Sequence, residues 1–160
     1  MSPFCPRAVI FDMDGLLVDS EPVWQEVEDR IFSRRGRVPD SSIRQGLIGM
    51  RMTDFWNAMV REYDFDEPAE SLIAEVTADM VATIPGHVDA RPGAQELLDY
   101  LRARSVPCAI ASSSPMAIIT AVVDSEGWHG YFQACVSGDQ VVNGKPAPDI
   151  YLEAASALGV

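Results

Sequence analysis

Two carboxylates stand two residues apart in Asp12-Met13-Asp14, where a short apolar run, Ala8 to Phe11, breaks at Gly15. The run reads as a buried strand and the break as the tight turn that ends it. Ligands of open parallel α/β sheets bind beyond the carboxyl ends of the strands, so both acids are delivered to the reactive edge. Acids spaced this way can divide the work, one attacking and the other handling a proton. A bare Asp-x-Asp-Gly is equally an acidic turn, so the rest of the chain decides.

Two further apolar runs end in polar groups of the right kind. Residues 106–111 stop at Ser112-Ser113-Ser114, and Ala134–Ser137 is followed by the turn Asn143-Gly144 and then Lys145, the one lysine beside eleven arginines. In a parallel sheet these ends share an edge with Asp12 and Asp14. That inventory suits phosphoryl transfer. Asp12 can attack phosphorus and form an aspartyl-phosphate, provided a cation offsets the repulsion between carboxylate and phosphate; Lys145 with a Mg²⁺ would do so. Ser112 offers a hydroxyl to a phosphate oxygen, backed by the N–H groups of a helix that Ser114 caps and Pro115 begins. Asp14 delivers the proton that a leaving alkoxide needs. Singly, each has a blander reading: Ser112 as a strand-end cap, Lys145 as a solvated turn residue, Asp19 as a first-turn acid. Their order along one sheet edge is what favours chemistry.

The elements that must position them follow from hydrophobic spacing. Apolar residues three and four apart predict helices over 22–35, 53–63 and 69–84, with a loop around Pro39 and a stop at Pro85-Gly86. Thereafter the pattern alternates: a helix after Pro92-Gly93, a strand over 106–111, a helix from Pro115 to Gly127, a strand over 134–137, and a helix from Pro148. Such alternation predicts a parallel sheet with right-handed crossovers. The helical block sits directly after the acidic strand end, placed to act as a lid that excludes water.

Composition narrows the partners. A net charge of −12 argues against nucleic acid and anionic membrane surfaces, although a local site can still oppose the global field for a phosphorylated metabolite. Cys5, Cys108 and Cys135 have no metal-ligand spacing, and the last two lie in apolar runs as buried small hydrophobes. No signal pattern and no apolar run of ~18 residues is present, which predicts a soluble protein of a reducing cytoplasm.

The segments DMDGLLVDSE, IASSS and GKPAPDIY resemble the first three motifs of the haloacid dehalogenase-like hydrolase superfamily, in the branch with a helical cap after the first motif. The resemblance covers almost the whole chain. It implies a discontinuous Rossmann-like α/β core, residues 1–18 and 88–160, with three strands of an incomplete parallel sheet and an all-helical cap over 19–87. It also implies Asp12 as nucleophile, Asp14 as general acid/base, Ser112 as phosphate ligand, and Lys145 as charge balancer. Mg²⁺ would be held by Asp12 and the backbone carbonyl of Asp14. Gly15 and Ser113 would adjoin the phosphate, and the loop Gly46 to Arg51 would be a cap substrate loop in which Arg51 meets substrate. In that loop region Met50, Met52 and Trp56 are more readily core than pocket.

The second acid favours a phosphatase or mutase over a dehalogenase, because expelling halide from carbon needs no proton donor. β-Phosphoglucomutases of this branch typically carry a His where this chain has Trp24; Ser20 to Trp24 looks more like the sugar-phosphate and hexitol-phosphate phosphatases. The expected activity is therefore a Mg²⁺-dependent phosphatase for a small phosphorylated sugar or polyol. The alternatives are a β-phosphoglucomutase-like mutase and an inactive fragment that keeps the phosphate pocket. The superfamily's fourth motif, an acidic pair, has no counterpart here, since Asp139 and Asp149 do not align with it. The expectations from that are weakened Mg²⁺ binding, a first strand left at the sheet edge, and a chain that is part of a longer one.

Overall fold

The structure, a computed structural model, describes residues 6–160, so Cys5 lies outside the described residues. One parallel sheet is built from β1 (Val9–Phe11), β2 (Cys108–Ser112) and β3 (Ala134–Ser137), in the order β1-β2-β3. Val9 pairs with Cys108, and Ile110 pairs with Cys135. β2 begins two residues later than the apolar run suggests, because Pro107 has no N–H to give the ladder. It ends one residue later, because Ser112 pairs with Ser137.

β2 is buried throughout, as the central strand of a sheet covered on both faces must be. Cys108 and Ile110 belong to the larger core, with Leu98 of α5 (Ala94–Ala103) and Ile118, Ile119 and Val122 of α6 (Met116–Ser125). On the opposite face Ala109 and Ala111 meet Val136, Ile150 and Ala154, where α7 (Asp149–Ala157) packs against the strands. The alanines there leave room for the helix to come close. Cys108 is buried but Cys135, on an outer strand, is only partly so, which corrects its expected burial; both are free thiols.

Between β1 and α5 the chain forms four helices: α1 (Glu21–Arg34), α2 (Ser41–Leu47), α3 (Met52–Tyr63) and α4 (Ala69–Thr83). Val23, Val27, Ile31 and Phe32 make one buried stripe on α1, facing Trp56 and Met59 of α3 and Leu72, Val76 and Met80 of α4. Phe32 meets Tyr63 edge-on at 4.8 Å between ring centres. Met52 and Trp56 are core, as expected, but Met50, in the turn before α3, is exposed, which corrects its expected place in the core. Helix α2 is not anticipated by the sequence reading. It buries no residue, so no apolar stripe marks it, and it is held by Asp40, whose Oδ1 accepts the Ser42 N–H at 2.7 Å. The two segments joining this block to the sheet run side by side: Asp19 N–H donates to Asp89 O and Arg91 N–H to Leu17 O. No described helix is long and apolar enough to cross a membrane.

Candidate active site

β1 ends in a turn that Gly15 makes possible at φ 74°. Its N–H donates to Val18 O at 2.9 Å, and Met13 O accepts from Leu17 and Val18. Met13 is buried, and its neighbours Asp12 and Asp14 both face the cavity above the sheet. Asp12 Oδ1 accepts the Met13 N–H at 2.8 Å and pairs with Lys145 Nζ at 2.8 Å. Lys145 also donates to Ala111 O at 3.0 Å and lies 5.2 Å from the centre of the Tyr151 ring. The lone ammonium thus bridges the ends of β1 and β2, steadied by an aromatic face of α7.

Asp14 is held from four directions. Its Oδ1 accepts from Ser20 Oγ at 2.7 Å and Trp24 Nε1 at 3.1 Å. Its Oδ2 accepts from Ser112 Oγ at 2.9 Å and Ser114 Oγ at 2.8 Å. One pair of donors comes from the start of α1, the other from the end of β2. Trp24 lies one turn beyond Ser20, so the first turn of α1 presents both to the same carboxylate. Ser20, Trp24 and Ser114 are the participants that sequence reasoning missed. Ser114 had a signal in the Ser-Ser-Ser run but was read as a helix cap. Pro115 occupies the cap position instead, and the Ser114 hydroxyl goes to the stronger, charged acceptor.

The other expected site residues are placed differently from one another. Ser112 is fully buried, donates to Asp14 and accepts the Ser114 N–H, and does not line the cavity. Ser113 does line it, and its hydroxyl reaches Gly49 O at 3.0 Å. Gly15 is exposed and outside the lining. Arg51 is also outside it. Its guanidinium forks onto Asp54, at 2.8 and 3.2 Å, and donates to the carbonyls of Val141 and Val142. The expected contact of Arg51 with substrate is thus not seen; its short reach to a neighbouring acid and two free carbonyls captures it. His87 and His129 are exposed.

The cavity, about 160 Å³, lies between the sheet edge and the helices. From the sheet come Asp12, Asp14, Ser113, Ser114 and Lys145; from the helical block come Glu21, Trp24, Glu28, Arg44, the turn 47–50, Met52 and Phe55. Glu28 is 7% exposed and receives Arg44 Nε at 2.5 Å. Burial pushes its carboxyl up to about 7, with Arg44 pulling the other way. Asp12 Oδ2 receives no hydrogen bond among the described residues, and a free carboxylate oxygen is the hard-oxygen donor a Mg²⁺ accepts. Among those residues no three His, Cys, Asp or Glu side chains gather as a metal cage, so the fit is that of a site offering a minority of the ligands.

A sequence profile of the haloacid dehalogenase-like hydrolases matches residues 6–160. The chain belongs to that family of hydrolases. It is 28% identical over 154 residues to a phosphorylated carbohydrates phosphatase of Thermotoga maritima, covering 96% of this chain and 71% of that one. It is 30% identical over 164 residues to hexitol phosphatase B of Escherichia coli K12, covering 96% and 70%. In fold it is similar to CbbY from Rhodobacter sphaeroides, crystallised with phosphate, at a TM-score of 0.86 over 98% of this chain and 74% of that one, with 23% identity. The α/β architecture with inserted helices is thus that of haloacid dehalogenase-like proteins.

Proposed function

We propose that this protein is a phosphatase releasing inorganic phosphate from a small phosphorylated sugar or polyol through an aspartyl-phosphate. The observation that carries the reading is the Asp12–Lys145 pair, 2.8 Å apart on the cavity floor, with Asp14 fixed beside it. Asp12 attacks phosphorus while the bond from phosphorus to the sugar oxygen breaks, and Asp14 gives that oxygen its proton. Water then attacks the aspartyl-phosphate, Asp14 takes the water's proton, and phosphate leaves with Asp12 restored. Lys145 offsets the charge that otherwise keeps carboxylate and phosphate apart. Ser112 and Ser114 both donate to Asp14 Oδ2 and hold that carboxyl beside the leaving group. The Asp12 side chain and the Asp14 carbonyl would hold a Mg²⁺, which when bound supplies further positive charge to the phosphoryl oxygens.

Residues 19–87 serve as a cap over a core of 1–18 and 88–160, closing the cavity against bulk water. The names of the relatives from Thermotoga maritima and Escherichia coli support the substrate class. Trp24 favours hydrolysis over mutase chemistry: an indole N–H holds Asp14 but cannot exchange protons as an imidazole can. The test is release of phosphate from p-nitrophenyl phosphate with and without Mg²⁺. Asp12→Asn is expected to fall to background; turnover of that variant like the parent's refutes the nucleophile. With a hexose 1-phosphate, free phosphate is the expected product and the 6-phosphate is the mutase outcome.

A further inference from the structure

Of the cavity-lining residues among those described, the helical block contributes a single cation, Arg44. That cation is already matched. Glu28 takes its Nε, and Glu21 Oε1 lies 3.0 Å from its Nη1. The Arg44 and Glu28 side chains are only 12% and 9% exposed, so at the cavity wall the guanidinium is already held by its carboxylate partner. Lys145, the other lining cation, is engaged by Asp12 at the opposite end. Nothing positive is left at the cap end to receive a second anion.

What that end does offer is acceptors and apolar surface. Glu21 Oε1 is buried, and its one close cation is Arg44 Nη1 at 3.0 Å, which leaves it capacity to accept a further donor. A hydroxyl would satisfy it. Trp24, Met50 and Phe55 supply a wall for the carbon face of a sugar or polyol.

We infer that the cap end of this cavity, built on the Glu21–Arg44–Glu28 cluster, selects monophosphates whose tail is neutral and hydroxylated and turns away those with a second phosphate or a carboxylate. The inference rests on the phosphatase reading for which end holds the phosphoryl group. Selectivity here is a repulsive element as much as an attractive one: a second anion would meet the Glu21 carboxylate and find the Arg44 guanidinium already occupied.

The test separates binding from turnover. Calorimetry on Asp12→Asn compares glucose 6-phosphate and sorbitol 6-phosphate with fructose 1,6-bisphosphate and 6-phosphogluconate. The neutral-tailed pair is expected to bind at least about tenfold more tightly. In the same background Glu28→Gln and Glu21→Gln each remove a counter-charge from Arg44, so each narrows that ratio roughly tenfold towards the anionic ligands. Equal affinities for all four, or a ratio that neither substitution moves in proteins whose melting shows them folded, overturns the inference. Selective binding in Asp12→Asn, with no p-nitrophenyl phosphate turnover by the unaltered protein, supports this inference while refuting the phosphatase reading; turnover without selectivity does the reverse.

Discussion

Asp14 receives four donors and Asp12 receives two, and this asymmetry sets what each carboxylate can do. Asp12 keeps a bare oxygen, as the proposed attack requires, whereas Asp14 is fixed in orientation beside it. A hydrogen bond to a charged group contributes roughly 1.5–3 kcal/mol. Trp24→Phe, which removes one such donor, is therefore expected to lower kcat on an alkyl phosphate by about ten- to a hundredfold. The loss on p-nitrophenyl phosphate is expected to be smaller, because nitrophenolate leaves without a proton. Equal losses on the two substrates would show that the indole does not act through Asp14. Lys145→Arg is the complementary test. A planar fork cannot occupy the point between Asp12 and Ala111 O that an ammonium fills, so activity is expected to stay near that of Lys145→Met despite the retained charge.

Beside the cavity, loops of the helical block and of the sheet meet directly. Arg51, at the start of α3, donates to the Val141 and Val142 carbonyls in the loop that carries Lys145, and Ser113 donates to Gly49 O. The Arg51 stem lies on Gly144, where an added Cβ would fall 2.7 Å from Cγ and 2.8 Å from Cδ. Gly144→Ala must therefore displace Arg51 and is expected to mimic Arg51→Ala. Both should raise KM several-fold, with a stability loss of about 1 kcal/mol read by thermal melting. A Gly144→Ala protein that behaves like the parent would show that the arginine docking does not hold the cap in place.

For the molecule as a whole, Glu28 gives a pH dependence opposite to that of Glu75 and Asp40. Its carboxyl rises from 4.5 to about 7 on folding, chiefly by burial, so the folded protein binds that proton more tightly than the unfolded chain. The stability it contributes is full below about pH 4.5 and lost as pH rises through about 7, a change of at most roughly 3 kcal/mol. Glu75 and Asp40 are held low by hydrogen bonds, Glu75 from Arg35 and Asp40 from Ser42, and they lose their stabilisation as pH falls instead. Melting temperature against pH should therefore show a decline between about pH 5 and 7 that Glu28→Gln removes. A decline that persists in Glu28→Gln would place its origin elsewhere. The net charge of −12 adds self-repulsion over the same range, and salt weakens that part alone.

Hydrophobic spacing and strand-end chemistry make the architecture and the candidate centre legible in the sequence. Alternating apolar runs marked the three strands, and a motif at each strand end placed Asp12, Asp14 and Lys145 on a common edge, where the structure brings them together. Helix α2 escaped because its two apolar residues, Ile43 and Leu47, are only partly buried and too few to set a period, and a pattern of burial is all that periodicity can report. The direction of each polar side chain also escaped. Ser114 prefers a carboxylate to its own helix, Arg51 turns to Asp54 and the 141–142 carbonyls, and Glu28 finds Arg44 sixteen positions along the chain. Spacing along a chain specifies which face a residue occupies, because that is fixed by local backbone geometry. Which partner a buried polar atom takes depends on whatever the packed elements carry within about 3 Å of it, and only the folded chain settles that.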